Sequence, residues 1–498
     1  MSLHSTYNPL KEAERYLDTF QFLYIPLFIV VTEPGESYLA HIIKKRFPDT
    51  QIIAIRYTPN LFYNSDNLWD YVWRPESDIN LEKFLFNLIS DEDLALTYFV
   101  HWKPSDNKWP IQAEYCWKSI ASLIKLQQNI MFTRSHFGKQ WLNNIVMNTL
   151  RLHTVLEPKQ IVKPVFLGAA GPSLENQFPL IKDRFYICSV SSALSCFLFH
   201  HCQPDLCIAT DGGYWAGTLF RDIPETVPVA FPLEAYIPIH VIEKNPSIIL
   251  DYGSVLEQNF LSIANIQGEN AQRNGTVTGT AAKYLLDHCD SNVYVAGLDL
   301  ESSASFSHAR PHISVDAGVN TTNRLQPIAS RLYSSTSSNS SLDIYASWFS
   351  SRDENFKKRF IRIKPEGRFL QGITSVGLDS ILDVPGPQTQ IASGVQNIQN
   401  HARIKNDIVD FLGLFRSEIA SCIQNKTKKA IIETFVSKIL NNIQYCELIQ
   451  MICYTDYIDM TRRIRMSTGN VTEASIETIC LHAGTFLEKL ITRVIKNE

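Results

Sequence analysis

Between residues 162 and 296 the chain alternates short apolar runs with stretches long enough for helices. Residues 162–167, 185–190, 205–209, 227–230, 247–250 and 292–296 read as strands. Most are apolar on both faces, as expected of strands covered on both sides. Stretches starting at Ser173, Ser191 and Thr276 read as helices between them. This alternation predicts a parallel, doubly wound sheet. Ligands of such sheets bind beyond the carboxyl ends of the strands.

The flanks differ in pattern. Residues 1–157 predict an N-terminal α/β domain, with strands at 27–31 and 51–55, a helix at 37–46, and a long helix over 117–155. Residues 158–385 hold the Rossmann-like α/β pattern. Residues 386–498 predict an all-helical domain, with apolar periodicity over 404–423, 430–452 and 476–495. Residues 383–400 read as the linker, and the Ser-rich residues 334–341 as a loop.

Composition narrows the class. Of 498 residues, 45% are hydrophobic and 19% charged, which excludes a disordered chain. The net charge of −4 argues against bulk attraction to nucleic acid, so no nucleic-acid partner is expected. The apolar stretch 20–31 contains Pro26 and is too short to span a membrane. Residues 1–18 lack the pattern of a secretory signal, so a soluble cytoplasmic protein is expected. Ten cysteines with no C-x-x-C fit reduced, buried thiols, and the spacing around His200, His201, Cys202 and Cys207 does not suit a metal.

Four segments could carry chemistry. The first is Gly168-Ala169-Ala170-Gly171-Pro172-Ser173-Leu174, where a buried strand runs into small residues and then a predicted helix. Free N–H groups at such a start favour a phosphate, and Ser173 could cap the helix or donate to the ligand. It is neither Walker A nor the G-x-G-x-x-G fingerprint, and a tight turn without a ligand gives the same pattern. The second is Thr210-Asp211-Gly212-Gly213-Tyr214-Trp215, after the strand 205–209. Tyr214 and Trp215 could flank a sugar or base, or Trp215 could fill the core. The third runs from Asn274 through Thr276 and Thr278 to Gly279, another polar helix start. The fourth joins Gly297 and Asp299 to His308 and His312 on the following loop, where a histidine near neutrality could carry a proton. The basic residues Lys357, Lys358, Arg359, Arg362 and Lys364 read as an exposed strand edge protected by charge.

Together, A-A-G-P-S-L-E at 169–175, P-D-L-C-I-A-T-D-G-G-Y-W at 204–215, T-G-T-A-A at 278–282 and G-L-D-L-E at 297–301 resemble the central domain of the motility-associated factor (Maf) flagellin glycosyltransferases. The same domain type occurs in MptE-like 6-hydroxymethylpterin diphosphokinases. The resemblance covers roughly residues 160–385. It departs from the common G-x-G-P-S-L at its first glycine, which is Ala169 here.

The resemblance implies a sialyltransferase-like, Rossmann-type catalytic domain. It would move a nonulosonic acid (pseudaminic or legionaminic type) from a CMP-activated donor to serine or threonine hydroxyls of flagellin. No tightly bound cofactor is implied, and metal dependence stays open. The implied donor site comprises residues 168–174, Ser191, Thr210, Gly212, Gly213, Tyr214, Asn274, Thr278, Gly279, Gly297 and Asp299. His308 is the expected base, with Asp211 and His312 as competitors. Rival readings are a pterin diphosphokinase using ATP and Mg²⁺ held by Asp211, Asp299 and Glu301, and a non-catalytic flagellin-binding chaperone. An NAD-dependent oxidoreductase is more distant, because the dinucleotide fingerprint is incomplete.

Overall fold

A computed structural model describes residues 3–158, 160–178, 184–300, 308–313, 315, 320–325, 327, 340–364, 368–381, 394–424, 427–465 and 473–496. The chain forms two compact units, one of residues 1–138 and 416–486, the other of residues 139–415 and 487–498. This differs from three consecutive domains: the C-terminal helices are divided between the two units. The helices His401–Ile423 and Glu473–Lys496 each run across a crossing point.

The first unit holds a four-stranded parallel sheet in the order β3-β2-β1-β4, with β1 Phe28–Thr32, β2 Gln51–Ile55, β3 Tyr71–Trp73 and β4 Thr97–His101. All five residues of β1 are buried, which explains its unbroken apolar run. Beyond β1 and β2, Arg56 and Glu33 form a fully buried ion pair at 3.1 Å. The Arg56 guanidinium also donates to Asp66, Ser37, Ser65 and the Gly35 carbonyl, so its buried charge is extensively hydrogen-bonded.

The second unit is built on an eleven-stranded sheet. Its strands are β5 Thr154–Glu157, β6 Val165–Gly168, β7 Tyr186–Val190, β8 Leu206–Ile208, β9 Val229–Pro232, β10 Ser247–Asp251, β11 Glu269–Asn270, β12 Val293–Ala296, β13 Phe360–Ile363, β14 Ser375–Val376 and β15 Gly394–Asn397. The order is β14-β13-β12-β6-β7-β8-β9-β10-β5-β15, with β11 beside β10. All neighbours are parallel except β15, which pairs antiparallel with β5. From β6 the chain steps outward through β7, β8, β9 and β10. It then returns to place β12 on the other side of β6, so the order reverses between β6 and β12. Phe166, Leu167, Val293, Val295, Phe197, Tyr284 and Phe360 belong to one buried core around these strands. Each such side chain contributes about 1.5–3 kcal/mol of burial.

Four expectations are corrected. The stretch after Ser173 is a five-residue 3₁₀ turn, Pro172–Asn176, and not the start of an α-helix. The long helix is Pro110–Arg151, and the residues after it turn into strand β5. Part of the expected linker, Gly394–Asn397, is strand β15, while 382–393 lie outside the described residues. The basic run is not an exposed edge, because β13 lies between β12 and β14. Arg359 instead donates to the carbonyls of Leu286, Cys289 and Ser291, and Arg362 is fully buried. The cysteines meet expectation: none is joined in a disulfide and nine of the ten are buried.

Candidate functional site

The pairing register places the predicted residues along one edge. Ala296 pairs with Gly168, Gly168 with Ser189, Val190 with Ile208, and Ile208 with Ala230. The carboxyl ends of β12, β6, β7, β8 and β9 therefore lie side by side, at strand spacings of about 4.8 Å. Gly297 and Asp299, residues 168–174, Ser191, and Thr210 to Tyr214 all follow these ends. The reversal between β6 and β12 is the position where open α/β sheets leave a crevice.

Backbone bonds sew the two central loops together. Ala169 N–H donates to Ala296 O, and Gly171 N–H to Gly297 O, each at 2.8 Å. A Cβ on Gly297, whose φ is +72°, would lie 2.2 Å from Ala169 O. One on Gly171 would lie 2.3 Å from Gly297 O. Glycine is therefore required at both positions by close backbone approach. Ala169 is absent from the residues with positive φ, so its Cβ costs the turn nothing.

The donors of the first motif face a protein side chain. Ser173 N–H and Oγ donate to Asp299, at 2.9 and 2.5 Å. Lys364 Nζ lies 3.2 Å from the same carboxylate, and Arg362 donates to Asp299 O at 3.3 Å. The expectation that Ser173 opens a helix is corrected: the 3₁₀ turn is too short to carry a useful dipole, and the Ser173 N–H and hydroxyl donate to Asp299.

The third motif is a longer helix start. The helix Val277–His288 is capped by Thr276, whose hydroxyl accepts from Gly279 N–H at 2.9 Å. Asn274 Oδ1 accepts from Thr276 N–H at 3.1 Å, and the buried Asn274 Nδ2 has no partner among the described residues. The helix follows β10 and β11 and precedes β12, so it starts on the carboxyl side of the sheet. Arg273, next to this start, pairs with Glu234 at 2.5 Å and lies over Trp141 and Tyr252.

After β8, Asp211 Oδ1 accepts from Gly213 N–H at 2.8 Å, which shapes the turn. Tyr214 and Trp215 are 65% and 78% exposed, so Trp215 does not fill the core. Their rings meet edge-on at 5.8 Å, and Tyr214 also contacts Tyr236 at 5.3 Å.

The loop carrying the histidines is pinned to the first motif. Ala309 N–H donates to Ala170 O, and the N–H and guanidinium of Arg310 bond the Glu175 carboxylate. The His308 ring stacks on His312 at 4.2 Å with planes 7° apart. Burial lowers the pKa of His308. Burial, and then the neighbouring His308, bring His312 down to about 4. Both rings are therefore neutral at physiological pH, as a proton acceptor must be. Glu301, considered for a metal, lies outside the described residues.

Two features here carry no local sequence signal. Asn144 and Asn148, one turn apart on the helix Pro110–Arg151, each donate to two carbonyls of the loops after β8 and β9. Arg362 and Lys364 reach Asp299 from β13. Only the periodicity of the long helix, searched for polar residues on its apolar face, could have flagged the asparagines.

Residues 139–304 match the family model described as 6-hydroxymethylpterin diphosphokinase MptE-like. An uncharacterized protein of Treponema pallidum (strain Nichols) is 38% identical over 287 residues, which span 58% of this chain and 64% of that relative. The chain therefore spans somewhat less than two thirds of the length of the curated relative it matches. A solved structure titled as a MAf glycosyltransferase from Magnetospirillum magneticum AMB-1 aligns with a TM-score of 0.49 at 12% identity, covering 97% of this chain and 83% of that one. Among the described residues, no helix is long and apolar enough to cross a membrane.

Proposed function

We propose that this chain is a glycosyltransferase that moves a nonulosonic acid from a CMP-activated donor to serine or threonine hydroxyls of flagellin. The observation that carries the reading is the position of His308. A neutral, half-buried imidazole lies on a loop pinned to the bend after β6, where the strand order reverses. Transfer to a hydroxyl needs a base at that place. The acceptor oxygen loses its proton to His308, attacks the anomeric carbon, and the bond to the cytidylate phosphate breaks. The leaving phosphate carries the negative charge. In this reading it lies at the start of the helix Val277–His288, where the helix dipole favours an anion. The sequence resemblance supplies the sugar and the acceptor. Tyr214 and Trp215 offer exposed aromatic faces for a sugar or the cytosine base.

The test is the intact mass of flagellin from cells lacking this protein, beside purified protein incubated with flagellin and a CMP-nonulosonic acid. Loss of the sugar mass in cells and its gain in the tube are expected. An unchanged flagellin mass in both would overturn the reading.

A second reading is favoured by the match of residues 139–304: a diphosphokinase acting on a pterin alcohol with ATP and Mg²⁺. Thermal stabilisation by CMP alone supports the transferase, and stabilisation only by ATP with Mg²⁺ supports the kinase.

A further inference from the structure

The helical part of the first unit brings three different metal-ligating side chains together. Cys453 Sγ, a carboxylate oxygen of Asp456 and a ring nitrogen of His482 all lie within 4.8 Å of one another. Among the described residues, no other set of three His, Cys, Asp or Glu side chains converges in this way. Cys453 and Asp456 belong to the helix Ile443–Arg465, and His482 to the helix Glu473–Lys496. All three fall within residues 416–486, and so within one unit.

We propose that Cys453, Asp456 and His482 form a zinc site that joins these two helices. Regular helix geometry is interrupted at Cys453 (φ −133°, ψ 46°), and Asp456 follows three residues later, the spacing that sets two side chains on one helix face. The Cys453 sulfur points towards Ile479 O, 3.9 Å away, and so towards the helix that carries His482 one turn further on. His482 Nδ1 lies 3.5 Å from Asp456 Oδ2. That is long for a hydrogen bond, which spans about 2.7–3.2 Å. It is close to the roughly 3.3 Å that separates N and O ligands on one tetrahedral zinc. With Zn–S near 2.3 Å, the sulfur needs about 3.6 Å to each of the other ligands, which small side-chain rotations supply from separations of at most 4.8 Å.

The donor set selects the ion. A thiolate and an imidazole suit zinc, whereas magnesium and calcium take oxygen ligands. Binding breaks the Cys453 S–H bond: the sulfur keeps the electron pair and forms the Zn–S bond, and the proton leaves to solvent. Thiolate, carboxylate and neutral imidazole then balance the two charges of the ion. Cys453 is buried, while the side chains of Asp456 and His482 are 44% and 55% exposed. The ion therefore enters from the solvent side, where water completes four-coordination. Ile449, Ile452, Ile476, Ile479 and Ala483 on the same two helices are buried, so the helices keep an apolar core without the ion. The site uses none of the residues assigned to the transferase reading.

The test takes the full chain, reduced and stripped of metal with a chelator, and titrates it with Zn²⁺ by calorimetry and with Co²⁺ by absorption. One equivalent of Zn²⁺ should bind, with an apparent enthalpy that changes with the ionisation enthalpy of the buffer, because a proton is released. Co²⁺ should give a thiolate-to-metal charge-transfer band in the near ultraviolet and the strong visible bands of four-coordination. Cys453→Ala should abolish the charge-transfer band. Asp456→Asn and His482→Gln, at half-exposed positions, should each weaken Zn²⁺ binding by more than about 100-fold, beyond the loss typical of residues that only support the ligands. Zn²⁺ should raise the melting temperature of the parent and leave that of His482→Gln unchanged. A parent that binds no Zn²⁺, or a charge-transfer band that survives in Cys453→Ala, would overturn the assignment. So would parent-like Zn²⁺ affinity in Asp456→Asn and His482→Gln, which would place the ion elsewhere and leave these two residues an ordinary surface ion pair.

Discussion

The carboxylate of Asp299, after β12, accepts both the N–H and the hydroxyl of Ser173, after β6. These residues are 126 positions apart and close the bend across the point where the sheet order reverses. The Asp299 and Lys364 side chains are 8% and 20% exposed, so their pairing is partly shielded from solvent. Asp299→Asn keeps the shape and removes the charge. It should lower stability by about 1–3 kcal/mol, measured by urea denaturation. Calorimetric titration should find CMP affinity within about twofold of the parent. A markedly tighter CMP complex would mean that the phosphate competes with Asp299 for the bend.

Much of this arrangement is legible in the sequence, for physical reasons. Strands buried on both faces are apolar throughout, so β1, β2, β7, β10 and β12 stand out within a residue or two of their ends. Glycine and aspartate just after such strands mark the carboxyl edge of the sheet, where the register places Gly297, Asp299 and Thr210 to Gly213. What stays hidden depends on contacts distant in sequence. Ser173 reads as a free cap because its acceptor lies 126 residues away. Arg362 and Lys364 read as a charged edge because nothing local tells that β14 continues the sheet. Strands as short as β11 and β14, with two residues each, have no periodicity to read. The division into two units is hidden too, because helical periodicity reveals an apolar face but not its partner.

His308 and His312 predict two separable effects of pH. His308→Ala should slow transfer by about 10²–10⁴-fold and leave CMP affinity unchanged, as judged by single-turnover assays and titration. Because the folded pKa of His308 is lowered, the acid limb of the rate profile should fall below the ordinary histidine value of 6.5. Stability follows the same sign. The unfolded chain binds these protons first, so stability is lost as pH falls from about 6.5 towards 4. Urea midpoints of His312→Gln should decline less over that window than those of the parent.

The clamp made by Asn148 gives a test of the loop after β9. Its Nδ2 serves Leu233 O and Ala235 O, each at 2.8 Å and buried. Asn148→Ala leaves both acceptors without this donor and should cost about 2–4 kcal/mol. Asn148→Asp is nearly the same size but turns an acceptor towards two carbonyls. It should cost more at neutral pH and recover in part on acidification, as its carboxyl gains a proton to donate. Equal denaturation midpoints for the three proteins would show that water replaces the side chain.

Glu257 carries the opposite pH sign. Its Oε1 accepts from Leu233 N–H at 2.7 Å, and its Oε2 is buried without a partner among the described residues. Burial, followed by repulsion from Glu234, pushes its pKa up to about 8. The folded protein therefore holds a proton that the unfolded chain releases near pH 4.5. Stability should decline as pH rises from about 4.5 to 8, because the unfolded state binds fewer protons over that range. Glu257→Gln copies the protonated form and keeps the acceptor for Leu233. It should match the parent near pH 5, exceed it by about 1–3 kcal/mol at pH 8, and flatten the alkaline slope of the urea midpoint. A variant whose midpoint follows the parent across the whole range would mean that Glu257 is ionised in the folded protein, with Arg273 and water supplying what burial removes.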